Sequence, residues 1–150
     1  MAHTLTSLLT HVILSTKDRR PWINRELQAR LHPYLGGIVR ESQGRALKLN
    51  STEDHVHLLV QLPANVSVAE ALRILKTNSS PWVHETWDSQ RGFCWQTGYG
   101  AFSVSLSSAP RVANYIADQE RHHRGMSFQE EFIAFLKKHH IEYDERYIRG

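Results

Sequence analysis

An α+β fold, with helices packed on an antiparallel sheet of four to five strands, follows from three features of the sequence. Short alternating or β-branched runs recur at Ser7–Thr16, Arg45–Ser51, His55–Leu62 and Ala101–Leu106. Between and after them lie segments whose apolar residues repeat at helical spacing, most of them opened by a capping residue. No linker, repeat or low-complexity stretch interrupts the chain, so residues 1–150 are read as one domain. The order β-α-β-β-α-β-α-α resembles a ferredoxin-like split βαβ unit with C-terminal helices added.

Each element has a local cause. Ser7–Thr16 (SLLTHVILST) suits a buried strand, and Lys17-Asp18-Arg19-Arg20-Pro21 is a polar turn carrying three cations. Asn24 is a good N-cap for a helix through Leu27, Leu31, Leu35, Ile38 and Val39. Pro33 and Gly36-Gly37 predict a kink there, or two short helices, and Gly44 ends the segment. Thr52-Glu53-Asp54 joins the next two runs as a hairpin. Ser67-Val68-Ala69-Glu70 is a capping box ahead of a helix through Ala71, Leu72 and Leu75, which extends to His84 unless Pro81 shortens it. Trp87–Gly100 reads as a loop or edge. Ser108 with Pro110 opens a helix to about His123. A second capping box, Ser127 to Glu130, starts a helix with Phe132, Phe135 and Leu136 on one side.

Composition narrows the class. The chain is 41% hydrophobic and 22% charged, which is ordinary for a folded protein, and no run of about 18 apolar residues is available to span a membrane. The first ten residues lack the pattern of a secretory signal. One cysteine, Cys94, excludes a disulfide framework and a multi-cysteine zinc site, and a reducing cytoplasm is the expected location. The net charge is only +3, but the cations are 13 Arg to 5 Lys, accompanied by ten His. Guanidinium groups read phosphate bidentately, so a polyanionic partner is in view beside the plainer reading of a mildly basic protein.

Two constellations carry chemistry. His55-Val56-His57 lies in a strand, where residues two apart share a face and their rings can converge on one divalent ion. The other reading is a pair of strand histidines satisfied by nearby acids. Val56, Leu58, Val60 and Leu62 take the opposite, continuously apolar face. In the second constellation Val112, Tyr115, Ile116 and Gln119 form one helical stripe. Tyrosine on such a stripe is usually core, but a glutamine amid apolar residues needs a partner. Arg111 and His122 lie one turn before and two turns after the tyrosine.

Taken together and in order, these pieces resemble the single-tyrosine HUH transposases of the smallest bacterial insertion sequences. The early part is Ser15-Thr16-Lys17-Asp18-Arg19-Arg20-Pro21. The middle is Glu53-Asp54-His55-Val56-His57-Leu58-Leu59-Val60 with Leu75-Lys76, and the end is Trp95, Gly98-Tyr99-Gly100 and Tyr115-Ile116 with Gln119. The resemblance implies that His55, His57 and Gln119 ligate a metal and that Tyr115 is the nucleophile. Two imidazoles and an amide oxygen suit Mg²⁺ or Mn²⁺ with open positions for phosphate oxygen. It further implies nicking and rejoining of single-stranded DNA at hairpin-flanked ends through a 5′-phosphotyrosine, by a homodimer with composite sites. The base that deprotonates the tyrosine is not identified.

Lys17, Arg19, Arg20, Arg73, Lys76, Arg111, Arg121 and Arg124 are candidates to hold phosphates. Trp82, Trp87, Trp95 and Tyr99 are candidates to stack bases or to fill the core. Two alternative functions stand beside the first. A non-catalytic DNA hairpin-binding or RNA-binding module would bind in EDTA without forming an adduct. A water-using metal-dependent phosphoesterase would cleave without one.

Overall fold

A computed structural model describes residues 3–122 and 125–144, with the side chains at 120 and 122 left aside. The roles expected of the His122 side chain and of Arg124, and the conformation of His123, therefore lie outside the described residues. Strands β1 (Leu9–Ser15), β2 (Arg45–Ser51), β3 (His55–Gln61) and β4 (Gly100–Ser103) form one antiparallel sheet in the order β2-β3-β1-β4. Helices α1 (Arg25–Glu41) and α2 (Val68–Thr86) complete the β-α-β-β-α-β unit. After it come α3 (Ala109–Ala117), the four-residue α4 (Gln119–His122) and α5 (Phe128–Lys138). The expected α+β fold is present, with four strands. Its last strand is shorter than the alternation predicted, and Leu106–Ser108 is a 3₁₀ turn.

Strand pairing divides the side chains by parity. Ile13 lies opposite His57 and Leu14 opposite Val56. The even positions Val12, Leu14, Val56, Leu58 and Val60 therefore face α1 and α2 in the main core, with Leu27, Leu31, Leu35, Leu72 and Leu75. The odd positions His11, Ile13, His55, His57 and Leu59 face the other way, under α3 and α5.

Neither proline ends its helix: α1 is not split in two at Pro33, and α2 runs past Pro81 to Thr86. Pro33 and Pro81 lie inside continuous helices whose N-caps, Asn24 and Ser67, accept from the backbone N–H groups of Leu27 and Glu70. A helical proline orphans the carbonyl four residues earlier. Here those residues are Ala29 and Thr77, both exposed, where solvent can reach the backbone. Beyond α1, Gln43 takes the left-handed conformation (φ 69°), and Gly44 follows where a Cβ would lie 3.0 Å from the Gln61 carbonyl oxygen.

Candidate active site

The site begins on β3. His55 and His57 are 1% and 0% exposed, with ring centroids 5.1 Å apart. His55 Nδ1 lies 2.7 Å from Asp54 Oδ1 and 2.7 Å from Thr52 Oγ1, both in the hairpin turn. Because the carboxylate only accepts, Nδ1–H donates to it, and Nε2 is the nitrogen left to face a metal. Burial alone would raise the Asp54 carboxyl. The hydrogen bond and charge of His55, aided by Thr52 and Arg19, outweigh burial and hold it below the ordinary range.

His57 is held from across the sheet. Its Nδ1 lies 2.8 Å from Nε2 of His11 on β1, a residue the site reading missed although it shares the face by strand period. Burial first, then the neighbouring His57, hold the His11 pKa down to about 3, so His11 is neutral at pH 7.

Tyr115 comes from α3 over this face, with its ring centroid 6.1 Å from that of His57 in the same chain. The helix does not continue to His123 as the spacing predicted. It stops at Asp118, because the Asn50 side chain on β2 donates to the carbonyls of Ile116 (2.9 Å) and Ala117 (3.1 Å) and so caps the last turn. Gln119 begins α4, is fully buried, and donates from Nε2 to the Tyr115 carbonyl at 3.3 Å.

The unforeseen residue is Glu131 on α5. Its Oε1 accepts from His57 Nε2 at 3.0 Å and lies 3.7 Å from His55 Nε2, and its Oε2 accepts from the Tyr115 hydroxyl. It is 2% exposed. Its signal was in the sequence, since Glu131 falls on the Phe128, Phe132, Phe135 stripe, where a carboxylate is out of place. Packing brings α5 this close because Gly100 on β4 lacks a side chain. A Cβ there would lie 2.6 Å from the Phe132 ring. Burial, followed by the Glu131 hydrogen bond and charge, pushes the Tyr115 phenol well above its ordinary pKa, with Gln119 opposing.

The donor set fits a divalent cation. His55, His57 and Glu131 each offer one ligand atom within 4.8 Å of the others, and the two Nε2 atoms lie 3.7 and 3.0 Å from Glu131 Oε1. Cis ligands of a six-coordinate ion with bonds of about 2.1 Å are about 3 Å apart, close to the His57–Glu131 separation. Both imidazoles are oriented through the other nitrogen, His55 by half-buried Asp54 and His57 by buried His11. Neutral His55, with its proton on Nδ1 toward Asp54, has the ligand tautomer. His57 reaches it when its Nδ1–H donates to neutral His11.

The candidate phosphate groups separate. Arg111 lines an open cavity of about 310 Å³ with Tyr115, Glu131 and His11. Lys17, Arg19 and Arg20 follow β1 on the turn beside the His55 end of the sheet, where Lys17 N–H donates to the Cys94 carbonyl. Lys76 is committed locally, its Nζ donating to the carbonyls of Gln96 (2.8 Å) and Gly98 (2.5 Å). Arg73 pairs with Glu70 on the outer face of α2, and Arg121 is exposed. Trp95 is buried and donates to Ser79 Oγ at 2.9 Å. Trp82 and Trp87 pack on the main core, while Tyr99 stays exposed. Among the described residues, no helix is long and apolar enough to cross a membrane.

Comparison with known proteins gives the family and the fold. The family model described as "Transposase IS200 like" matches residues 4–119. The transposases for insertion sequence element IS200 of Salmonella typhimurium and Salmonella typhi are each 26% identical over 125 residues, covering 79% of this chain and 81% of theirs. A putative transposase from Deinococcus radiodurans has the same fold at TM-score 0.66 and 22% identity, over 79% of this chain and 95% of that one. A REP-associated tyrosine transposase solved with a REP hairpin superposes at TM-score 0.61 and 13% identity, over 82% of this chain and 72% of that one. The match covers well over half of the sequence, including both histidines, Tyr115 and Gln119 but not Glu131: the chain belongs to the IS200-like transposase family.

Proposed function

We propose that this transposase nicks and rejoins single-stranded DNA at hairpin-flanked ends, with Tyr115 as nucleophile and a divalent ion, Mg²⁺ or Mn²⁺, held at His55 and His57. The observation that carries the reading is the convergence of the tyrosine hydroxyl and both imidazole Nε2 atoms on one buried carboxylate, Glu131. Gln119 completes the ligand set by its amide oxygen, as its motif position implies, and Glu131 adds a carboxylate oxygen. When bound, the ion polarises the scissile phosphate and stabilises the charge of the departing 3′-oxygen.

The protein's own groups do the rest. Tyr115 oxygen attacks phosphorus in line and the bond to the 3′-oxygen breaks, leaving a 5′-phosphotyrosine and a free 3′-hydroxyl. The diester's energy is conserved for rejoining by a later 3′-hydroxyl. Glu131 accepts the phenolic hydrogen bond and is the nearest acceptor for that proton. Its own charge disfavours the phenolate until it is neutralised, which keeps the nucleophile protonated at rest. Arg111 stands beside Tyr115 to hold a neighbouring phosphate.

The hairpin held by the REP-associated neighbour supports hairpin DNA as the ligand. A homodimer with composite sites remains part of this reading, joined through an edge of the open sheet. Sedimentation at micromolar concentration giving only a 17.3 kDa species would remove it.

The test is incubation with labelled hairpin-containing single strands and Mn²⁺, followed by a denaturing protein gel. A labelled protein band that Tyr115→Phe abolishes is expected. Cleavage without a band would favour water as nucleophile, and EDTA-resistant binding without cleavage would favour a hairpin-binding module.

A further inference from the structure

We infer that the cavity on the Asp54 side of His55 seats one unpaired nucleotide adjoining the scissile phosphate, with Arg19 on its phosphate and Phe128 against its base. The inference rests on the proposed DNA cleavage and adds where the strand runs. The cavity holds about 720 Å³, ample for a nucleotide. It is lined by His55 and Asp54 on one side and by the start of α5 on the other. Met126 lines both this cavity and the one containing Tyr115 and Arg111, so the two adjoin. A strand whose scissile phosphate lies at the histidine pair then has a nucleotide-sized recess on each side.

The lining matches the parts of a nucleotide. Arg19 stands on a turn where both Asp18 (φ 57°) and Arg19 (φ 51°) are left-handed, a conformation costly for residues other than glycine. Its Nε is buried and has no hydrogen-bond partner among the described residues, a donor in need of an acceptor. The N-terminus of α1, at Asn24 and Arg25, opens into the same cavity and adds partial positive charge. Phe128, whose ring centroid is 4.5 Å from that of His55, supplies an aromatic surface for a base.

The test uses the full chain and hairpin strands carrying 2-aminopurine at each position flanking the cleavage site in turn. Binding is read by fluorescence in EDTA, without cleavage. One position is expected to change signal on binding, and Arg19→Gly, which suits the left-handed backbone, should erase that change even at protein concentrations that saturate hairpin binding, with the melting temperature reporting that the fold is kept. In Mn²⁺, an abasic nucleotide at the same position should slow adduct formation about tenfold in the natural protein, the scale of one stacked base. It should add little to the slower rate of Arg19→Gly or Phe128→Ala.

No responsive position, or an abasic penalty equally large in Arg19→Gly, would overturn the seat while leaving the transposase reading standing. Absence of any adduct from the natural protein on unmodified strands would count against the cleavage reading. The fluorescence arm would still decide whether a nucleotide occupies the cavity.

Discussion

The two faces of the sheet are built from the same strands and have opposite characters. Toward α1 and α2, β1 and β3 present Val12, Leu14, Val56, Leu58 and Val60, a dry core. Toward α3 and α5 they present His11, His55 and His57, joined to Glu131 and Tyr115 in one polar network that is set among Ile13, Leu59 and Phe102. Adjacent residues of β3 thus serve stability and chemistry alternately, and a one-residue slip of register would exchange them. The apolar face holds the rotation of the strands fixed, and the polar face can then carry groups whose burial is costly on its own.

That comparison is broken most sharply by neighbouring substitutions. Tyr115→Phe should abolish the covalent adduct, and His55→Ala or His57→Ala should abolish cleavage, each with hairpin binding retained. Gel-shift and adduct assays on the same preparations check this, and full activity in either histidine variant would remove the metal assignment. Leu58→Ala, beside His57 on the opposite face, should instead cost about 2–5 kcal/mol in urea unfolding. Its cleavage per folded molecule should remain normal. A Leu58 variant that folds stably but cannot cleave would show that the faces are not separable.

Within the polar face, Glu131 and Gln119 are expected to differ. Glu131→Gln keeps a hydrogen-bond acceptor for Tyr115 but removes the charge beside both imidazoles. Mn²⁺ affinity, followed by calorimetry, should fall about tenfold or more. Gln119→Ala should be milder, because water replaces an amide oxygen ligand. The reverse order would make Gln119 the principal third donor and Glu131 a group that covers the site.

How much of this was legible in the sequence depended on range. The period of two placed His55 and His57 on one face and Leu58 on the other, since strand parity is a local property. Tyr115 and Gln119 were likewise found by spacing and motif order. The helix break between them was not, because its cause is Asn50, a side chain from β2. Glu131 meets His57 across 74 positions of chain, and only its misplaced charge on an apolar stripe marked it. Neither Pro33 nor Pro81 ends its helix, because a proline's effect depends on whether the orphaned carbonyl can meet water, which local sequence does not state.

The division of labour between subunits is the next comparison. One chain places its own Tyr115 beside its own His57. If that arrangement acts, mixed dimers of Tyr115→Phe and His57→Ala chains should remain inactive, since every site lacks either the nucleophile or a ligand. If α3 exchanges between subunits, one complete site forms and co-expressed chains should recover part of the cleavage. The adduct gel distinguishes the two, and recovery would move the nucleophile to the partner without altering its chemistry.

The smallest expected effect lies on the α1 side, at His32. Its Nε2 is 2.7 Å from Ser51 Oγ, which also receives Gln28 Nε2 at 3.2 Å, so α1 is tied to the end of β2. Burial lowers the His32 pKa from its ordinary value of 6.5. Below about pH 6.5 the unfolded chain therefore binds a proton that the folded chain still refuses, and stability falls with falling pH until the folded pKa is passed. His11, held near 3, gives a slope of the same sign, so the natural protein alone does not isolate either residue. His32→Gln removes one titration and keeps a polar partner for Ser51. Urea midpoints measured from pH 8 to pH 5 should show a constant gap between the two proteins at the alkaline end. Toward pH 5 the natural protein should lose more stability than the variant, and the remaining slope in the variant belongs to His11 and the other titrating groups. A gap unchanged across the whole range would mean that His32 is not held neutral by its burial under α1.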